Sequence, residues 1–168
     1  MKIEEIKKFT FFKDFSEEEI KEFLEFSFSL KIKPGEILFK EGSYGADLYI
    51  IKKGKGEIIK KGKEKEFKIA EVEEGNIVGE IAWILGEKRS ATLKAKTDME
   101  VLRIDGDVLK KKIMEGKRGA VLFLFELLKL ESKRLSITSQ EIVDILEKYI
   151  PTDEIANLKE KILKTIAF

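Results

Sequence analysis

Residues 78–92 read Val-Gly-Glu-Ile-Ala-Trp-Ile-Leu-Gly-Glu-Lys-Arg-Ser-Ala-Thr. Within this stretch, Gly79–Leu85 shows no alternation of apolar and polar residues, so it predicts a short helix set into a series of strands. A glycine opens that helix. The backbone N–H groups from Gly79 to Ala82 then have no acceptor within the helix, and such a start attracts an anion through its donors and its dipole. Nine residues after Glu80 stands Arg89, at the start of the next strand. Arginine is the side chain whose planar fork grips a phosphate at two points. Ser90 adds a hydroxyl and another amide. Ionised Glu80 is an acceptor only, unfit for phosphate but fit for a sugar hydroxyl. Phosphate donors beside a hydroxyl acceptor describe the ribose-phosphate edge of a nucleotide.

On both sides of this stretch the period is that of strands. Ser27–Ile32, Glu36–Lys40, Leu48–Lys52, Gly56–Lys61, Phe67–Val72, Ala91–Lys96 and Glu100–Ile104 are short β-rich runs. Turn signals separate them: Pro34-Gly35, Gly42 to Gly45, Gly54 to Gly56, Gly62, Glu74-Gly75 and Gly86. Many short strands at this spacing predict an antiparallel β-roll, and the helices around it make the fold class α+β. The Lys-rich stretch from Lys52 to Lys65 reads as a solvated hairpin.

Helices flank the strands. Ser16 and Glu19 form a capping-box pattern ahead of Ile20, Phe23 and Leu24, and Phe11, Phe12 and Phe15 are expected to pack on the body of the domain. After Ile104, Asp105 or Asp107 can cap a helix over Val108–Met114, a long helix covers Gly119–Ile150, and Pro151 breaks it. Thr152–Ala167 forms a last amphipathic helix with Ile155, Leu158, Ile162 and Ile166 on one face. The expected division is 1–118, β-roll with its flanking helices; 119–150, long helix; and 151–168, terminal helix. Leu128, Leu135, Thr138, Ile142, Ile145 and Tyr149 fall at spacings of three and four once Glu131 is counted as a gap. That is a coiled-coil seam of about three heptads, and a parallel homodimer through residues 128–149 is the expected use of it. Packing of the same stripe on the chain's own β-roll is the alternative.

Composition excludes several functions. The 168 residues contain no Cys and no His, so there is no disulfide and neither common zinc ligand nor a His-dependent triad. A cupin-like metal enzyme on a similar β architecture would need His ligands. Thirty-three Lys and Arg balance 32 Asp and Glu, leaving a net charge of +1 and no global pull toward nucleic acid or an anionic membrane. No apolar run is long enough to span a membrane, and the charged MKIEEIKKF start has no apolar signal core, so a cytoplasmic protein is the default expectation. One Gln and two Asn beside abundant Lys and Glu give a thermophile-like composition.

The 78–92 stretch resembles the phosphate-binding cassette of the cyclic-nucleotide-binding domain family, which includes the catabolite activator protein and the regulatory subunit of cyclic-AMP-dependent protein kinase. The matching residues are Gly79-Glu80-Ile81-Ala82 and Arg89-Ser90-Ala91-Thr92, extended by Lys94-Ala-Lys-Thr-Asp98 and, upstream, by Pro34-Gly35-Glu36, Gly42, Leu48-Tyr-Ile-Ile51 and Gly54. Val78 and Lys88 depart from the pattern at positions that contact neither phosphate nor ribose, and Trp83 replaces the usual Leu.

The resemblance implies that Glu80 and the Gly79 amide bind the ribose 2′-hydroxyl, and that Arg89, Ser90 and the Ala82 amide hold the cyclic phosphate. Arg-Ser resembles the bacterial activator more than the kinase subunit. So does Arg134-Leu-Ser-Ile-Thr-Ser139, which implies that Thr138 and Ser139 meet the adenine across a dimer. Cyclic AMP is the favoured ligand over cyclic GMP, with no further cofactor and no catalytic activity. The roughly 17 residues after Pro151 cannot build a three-helix DNA reader, so the signal is expected to pass through the C-terminal helices to a separate effector protein. Trp83 is either plain packing or the residue that transmits ligand binding to the helices after Ile104. The alternative function is a nucleotide-independent interaction module on the same fold.

Overall fold

The computed structural model describes residues 3–149. The expected helix over Thr152–Ala167 lies outside them, as does Ile150, the last residue expected of the long helix. The chain divides after Leu124 into two units.

In the first unit, three helical pieces lead in: α1 (Ile3–Lys7), a single 3₁₀ turn (Thr10–Phe12) and α2 (Glu17–Leu24). The capping box is formed as the sequence predicts. The Glu19 amide donates to Ser16 Oγ, and the Ser16 amide donates to Glu19 Oε2 at 2.7 Å. Eight strands follow: β1 (Ser27–Ile32), β2 (Ile37–Phe39), β3 (Leu48–Lys53), β4 (Gly56–Lys61), β5 (Glu66–Val72), β6 (Ile77–Val78), β7 (Thr92–Ala95) and β8 (Met99–Ile104). They form two antiparallel four-stranded sheets, ordered β1-β8-β3-β6 and β2-β7-β4-β5. This is the antiparallel β-roll with flanking helices, α+β, expected from the strand spacing.

Alternation sorts the strands' side chains. Tyr49 and Ile51 of β3 join Val72, Val78, Leu93, Ala95, Met99 and Val101 in the core inside the roll. Leu48 and Ile50 point to the opposite face of the same strand and are equally buried, as are Leu102 and Ile104 on β8. A strand buried on both faces reads as a continuous apolar run, which is what Leu48–Ile51 is. An aromatic cluster closes the helical side. Phe123 lies 5.0 Å from Phe23 and 4.9 Å from Phe11, and Phe12 packs against Phe15 and Phe23.

Helix α3 (Glu80–Leu85) interrupts the strands where the sequence placed it, and α4 (Gly106–Met114) follows β8. Of the two candidate caps Asp105 is the one used, accepting from the amides of Asp107 and Val108. Helix α5 (Arg118–Tyr149) begins in the first unit and makes up the described part of the second. In that second unit Leu128, Leu135, Ile142 and Ile145, four of the seam residues, are exposed. Among the described residues no helix is long and apolar enough to cross a membrane.

One expectation is corrected. Lys52 is not part of a solvated hairpin. Its side chain is 11% exposed and its ammonium pairs with Glu100 and, at 3.6 Å, with Glu5. It ties α1 to the sheet, using carboxylates distant in sequence.

Candidate functional site

Gly79 forms the elbow between β6 and α3. Its φ is +86°, in the left-handed region that glycine adopts without strain. A Cβ there would also lie 2.5 Å from Arg89 Nη1 and 2.9 Å from the Asp47 carbonyl oxygen. Two independent constraints therefore demand glycine: the left-handed φ of the elbow, and the backbone's close approach to Arg89 and the Asp47 carbonyl.

Arg89 enters from the loop before β7, whose backbone is fixed by the loop after β2. The Arg89 amide donates to Ser43 O and the Gly42 amide to Arg89 O, both at 2.8 Å. The side chain runs inward and is 4% exposed. Nη1 donates to Gly79 O at 2.8 Å and Nη2 to Asp47 O at 2.7 Å. Phe39 covers the guanidinium at 4.7 Å and Tyr49 at 5.8 Å, the two rings being stacked on one another. The four groups fix the fork in place.

The hydrogen bonds of the Arg89 guanidinium go to two backbone carbonyls. Burial accordingly pushes the guanidinium below its ordinary pKa, opposed by the charges of Tyr49, Asp47 and Glu80. Burial is also the main reason that the Tyr49 hydroxyl is raised above its usual value. The carbonyls that hold this buried cation carry no net charge, and an anion beside it would offset more of its desolvation. The arrangement can therefore receive an anionic group at a fixed position.

Around Arg89 the structure gathers most of the residues singled out in the sequence. Gly79, Glu80, Ile81 and Ala82 form the elbow and first turn of α3, with Glu80 and Ala82 buried and Ile81 exposed. Glu80 is close enough for its charge to act on Arg89. Ser90 is exposed and Ala91 buried at the entry to β7. Thr138 and Ser139 belong to the second unit, where both are exposed on α5 and Ser139 Oγ donates to Leu135 O at 2.8 Å. Trp83 links α3 to the start of α4, with Nε1 donating to Gly106 O at 2.8 Å. Sequence reading missed Phe39, Tyr49 and Asp47. Asp47 serves Arg89 through its carbonyl, which every residue type has, so no side-chain signal could have marked it.

The model of the cyclic nucleotide-binding domain matches residues 29–115. The chain belongs to this family. Among its relatives, a cGMP-dependent protein kinase from Plasmodium berghei is 33% identical over 128 residues, 74% of this chain and 14% of the kinase. A cAMP-dependent protein kinase regulatory subunit from Emericella nidulans is 30% identical over 83 residues, 49% of this chain and 20% of the subunit. The chain thus spans no more than 20% of either relative's length. A solved cyclic nucleotide-binding domain from Methylobacillus flagellatus shares 26% identity at a TM-score of 0.74, covering 84% of this chain and 80% of that one. The catabolite activator protein of Thermus thermophilus shares the fold, with 24% identity and a TM-score of 0.70 over 82% of this chain and 62% of that one.

Proposed function

We propose that the domain is a sensor that binds a 3′,5′-cyclic nucleotide, with Arg89 receiving the cyclic phosphate. The observation that carries this is a guanidinium 4% exposed, held by two backbone carbonyls and two aromatic rings. The first-turn amides of α3 and the Ser90 hydroxyl supply further donors for the same phosphate, and Glu80 accepts from the ribose 2′-hydroxyl. Ile81 and Ala91 frame the contact through their backbone. Cyclic AMP is the favoured ligand, on the Arg89-Ser90 pair and the Thr138-Ser139 pair, both of which resemble the bacterial activator.

The output follows from packing. The Trp83 side chain spans from α3 to Gly106, so a phosphate that draws α3 inward pulls on the first residue of α4. A signal passes only if ligand binds one arrangement of these helices more tightly than another. The exposed Leu128, Leu135, Ile142 and Ile145 support a homodimer through α5, which presents the change to a separate effector protein.

The test is calorimetric titration of cyclic AMP and cyclic GMP into nucleotide-stripped protein. Saturable binding with cyclic AMP the tighter ligand is expected. Tighter cyclic GMP overturns the base assignment. Heat from neither, in protein shown to be folded, overturns the sensor and favours a nucleotide-independent interaction module.

A further inference from the structure

The Arg89 fork is placed by two carbonyl oxygens. The first, of Gly79, belongs to the cassette itself. The second, of Asp47, belongs to the segment just before β3, and something must hold that segment still. In the β3–β8 pairing Leu48 faces Ile104 and Tyr49 faces Arg103. This register brings the Arg103 side chain back to Asp47, where Nε donates to Oδ2 at 2.8 Å. Three residues further on, Gly106 is packed so closely against the Ala46 carbonyl that a methyl group there would overlap its oxygen. Residues 46 and 47 are thus gripped from the β8–α4 side at two points.

We propose that Arg103 is a positioning residue for phosphate recognition: it anchors the Asp47 carboxylate, and thereby sets the Asp47 carbonyl that aims Arg89. The inference rests on the reading that Arg89 receives the phosphate. Asp47 works at both ends, its carboxylate on Arg103 and its carbonyl on Arg89 at 2.7 Å. The Arg103 side chain is 42% exposed and that of Asp47 22%. An ion pair so open to water contributes little to global stability. Its effect falls on geometry, because a neutral carbonyl attracts the fork over a short range only and has to be delivered to it. The bond to Asp47 also raises the Arg103 pKa.

The experiment uses the full chain and Arg103→Met, which keeps the stem and removes the charge, with Arg103→Lys as the conservative variant. In the free protein, nitrogen spectra of labelled arginine report whether the Arg89 Nη1 and Nη2 signals are resolved, as they are when rotation of the fork is hindered. Resolved signals in wild type, merged signals in Arg103→Met and partial recovery in Arg103→Lys are expected, with an unchanged unfolding midpoint. Cyclic AMP affinity should fall roughly five- to tenfold in Arg103→Met, toward the lower end of the effects seen for residues coupled in one network. Unchanged Arg89 signals overturn the proposal, and so does unchanged affinity in a protein that binds. If wild type binds no cyclic nucleotide, the phosphate reading fails, while the Arg89 signals still decide whether Arg103 positions the fork.

Discussion

Replacing Gly106 by Ala tests the grip on residues 46 and 47. The added methyl would overlap the Ala46 carbonyl oxygen, lie 2.8 Å from that carbonyl's carbon and come within 2.6 Å of Trp83 Cδ1. Cβ contacts shorter than 3.0 Å are essentially never seen, so something has to move. Ala46 cannot yield easily, because Asp47 beside it is tied to Arg89 and Arg103. Trp83 cannot swing away without losing its bond to Gly106 O. Forcing a methyl group into so constrained a space costs about 2–3 kcal/mol. The gain from replacing a helical glycine by alanine offsets up to about 1 kcal/mol of it. A net loss near 2 kcal/mol corresponds to roughly 30-fold in the unfolding equilibrium. Urea unfolding followed by fluorescence of Trp83, the only tryptophan in the chain, reads this directly at the affected site. Gly86→Ala is the control. It has φ +68° and no neighbour within 4 Å, so its penalty is conformational alone, about 1 kcal/mol. A Gly106→Ala protein that unfolds at the wild-type urea midpoint would refute the close contact, and with it the argument that residues 46 and 47 are clamped.

Three further outcomes are expected. Phe123→Ala removes a fully buried ring from between Phe11 and Phe23 and should lower stability by about 3–5 kcal/mol in the same unfolding assay; a loss under 1 kcal/mol would contradict the aromatic cluster. The Glu71 carboxyl, contacted by Lys96 and Lys68, is held down to about 2. Its depressed folded pKa means that its favourable contribution is complete above the ordinary carboxylate range and is lost as pH falls through about 2. An NMR titration of Glu71 with a midpoint near the ordinary carboxylate value of 4.5 would show those contacts to be unpopulated. For the α5 seam, sedimentation should give about twice the monomer mass, and Leu135→Glu should return it to the monomer; a monomeric wild type would remove the dimer from the account.

How far the sequence reveals this molecule depends on where each signal resides. Short β-rich runs bounded by turn residues located β1 and β4 to the residue, because composition and turn signals are local properties. The two-residue β6 is too short to show a period, and α1 offers only Ile3 and Ile6 among charges. The cassette was legible because it depends on residue type: only arginine supplies the fork, and only glycine fits the elbow. Asp47 left no trace, since its contact with Arg89 is made by a backbone carbonyl. Lys52 looked like surface because its partners Glu5 and Glu100 stand 47 and 48 residues away and meet it only once β3 pairs with β8 and α1 docks.

The proposed sensor depends on Arg89 receiving the cyclic phosphate. Titrating cyclic AMP into stripped wild type and Arg89→Ala, both confirmed folded, tests it most directly. Removing a buried charged partner of a ligand should cost roughly 2–5 kcal/mol, a loss of about 30-fold or more in affinity. Equal affinity in the two proteins would contradict the account and place the phosphate elsewhere.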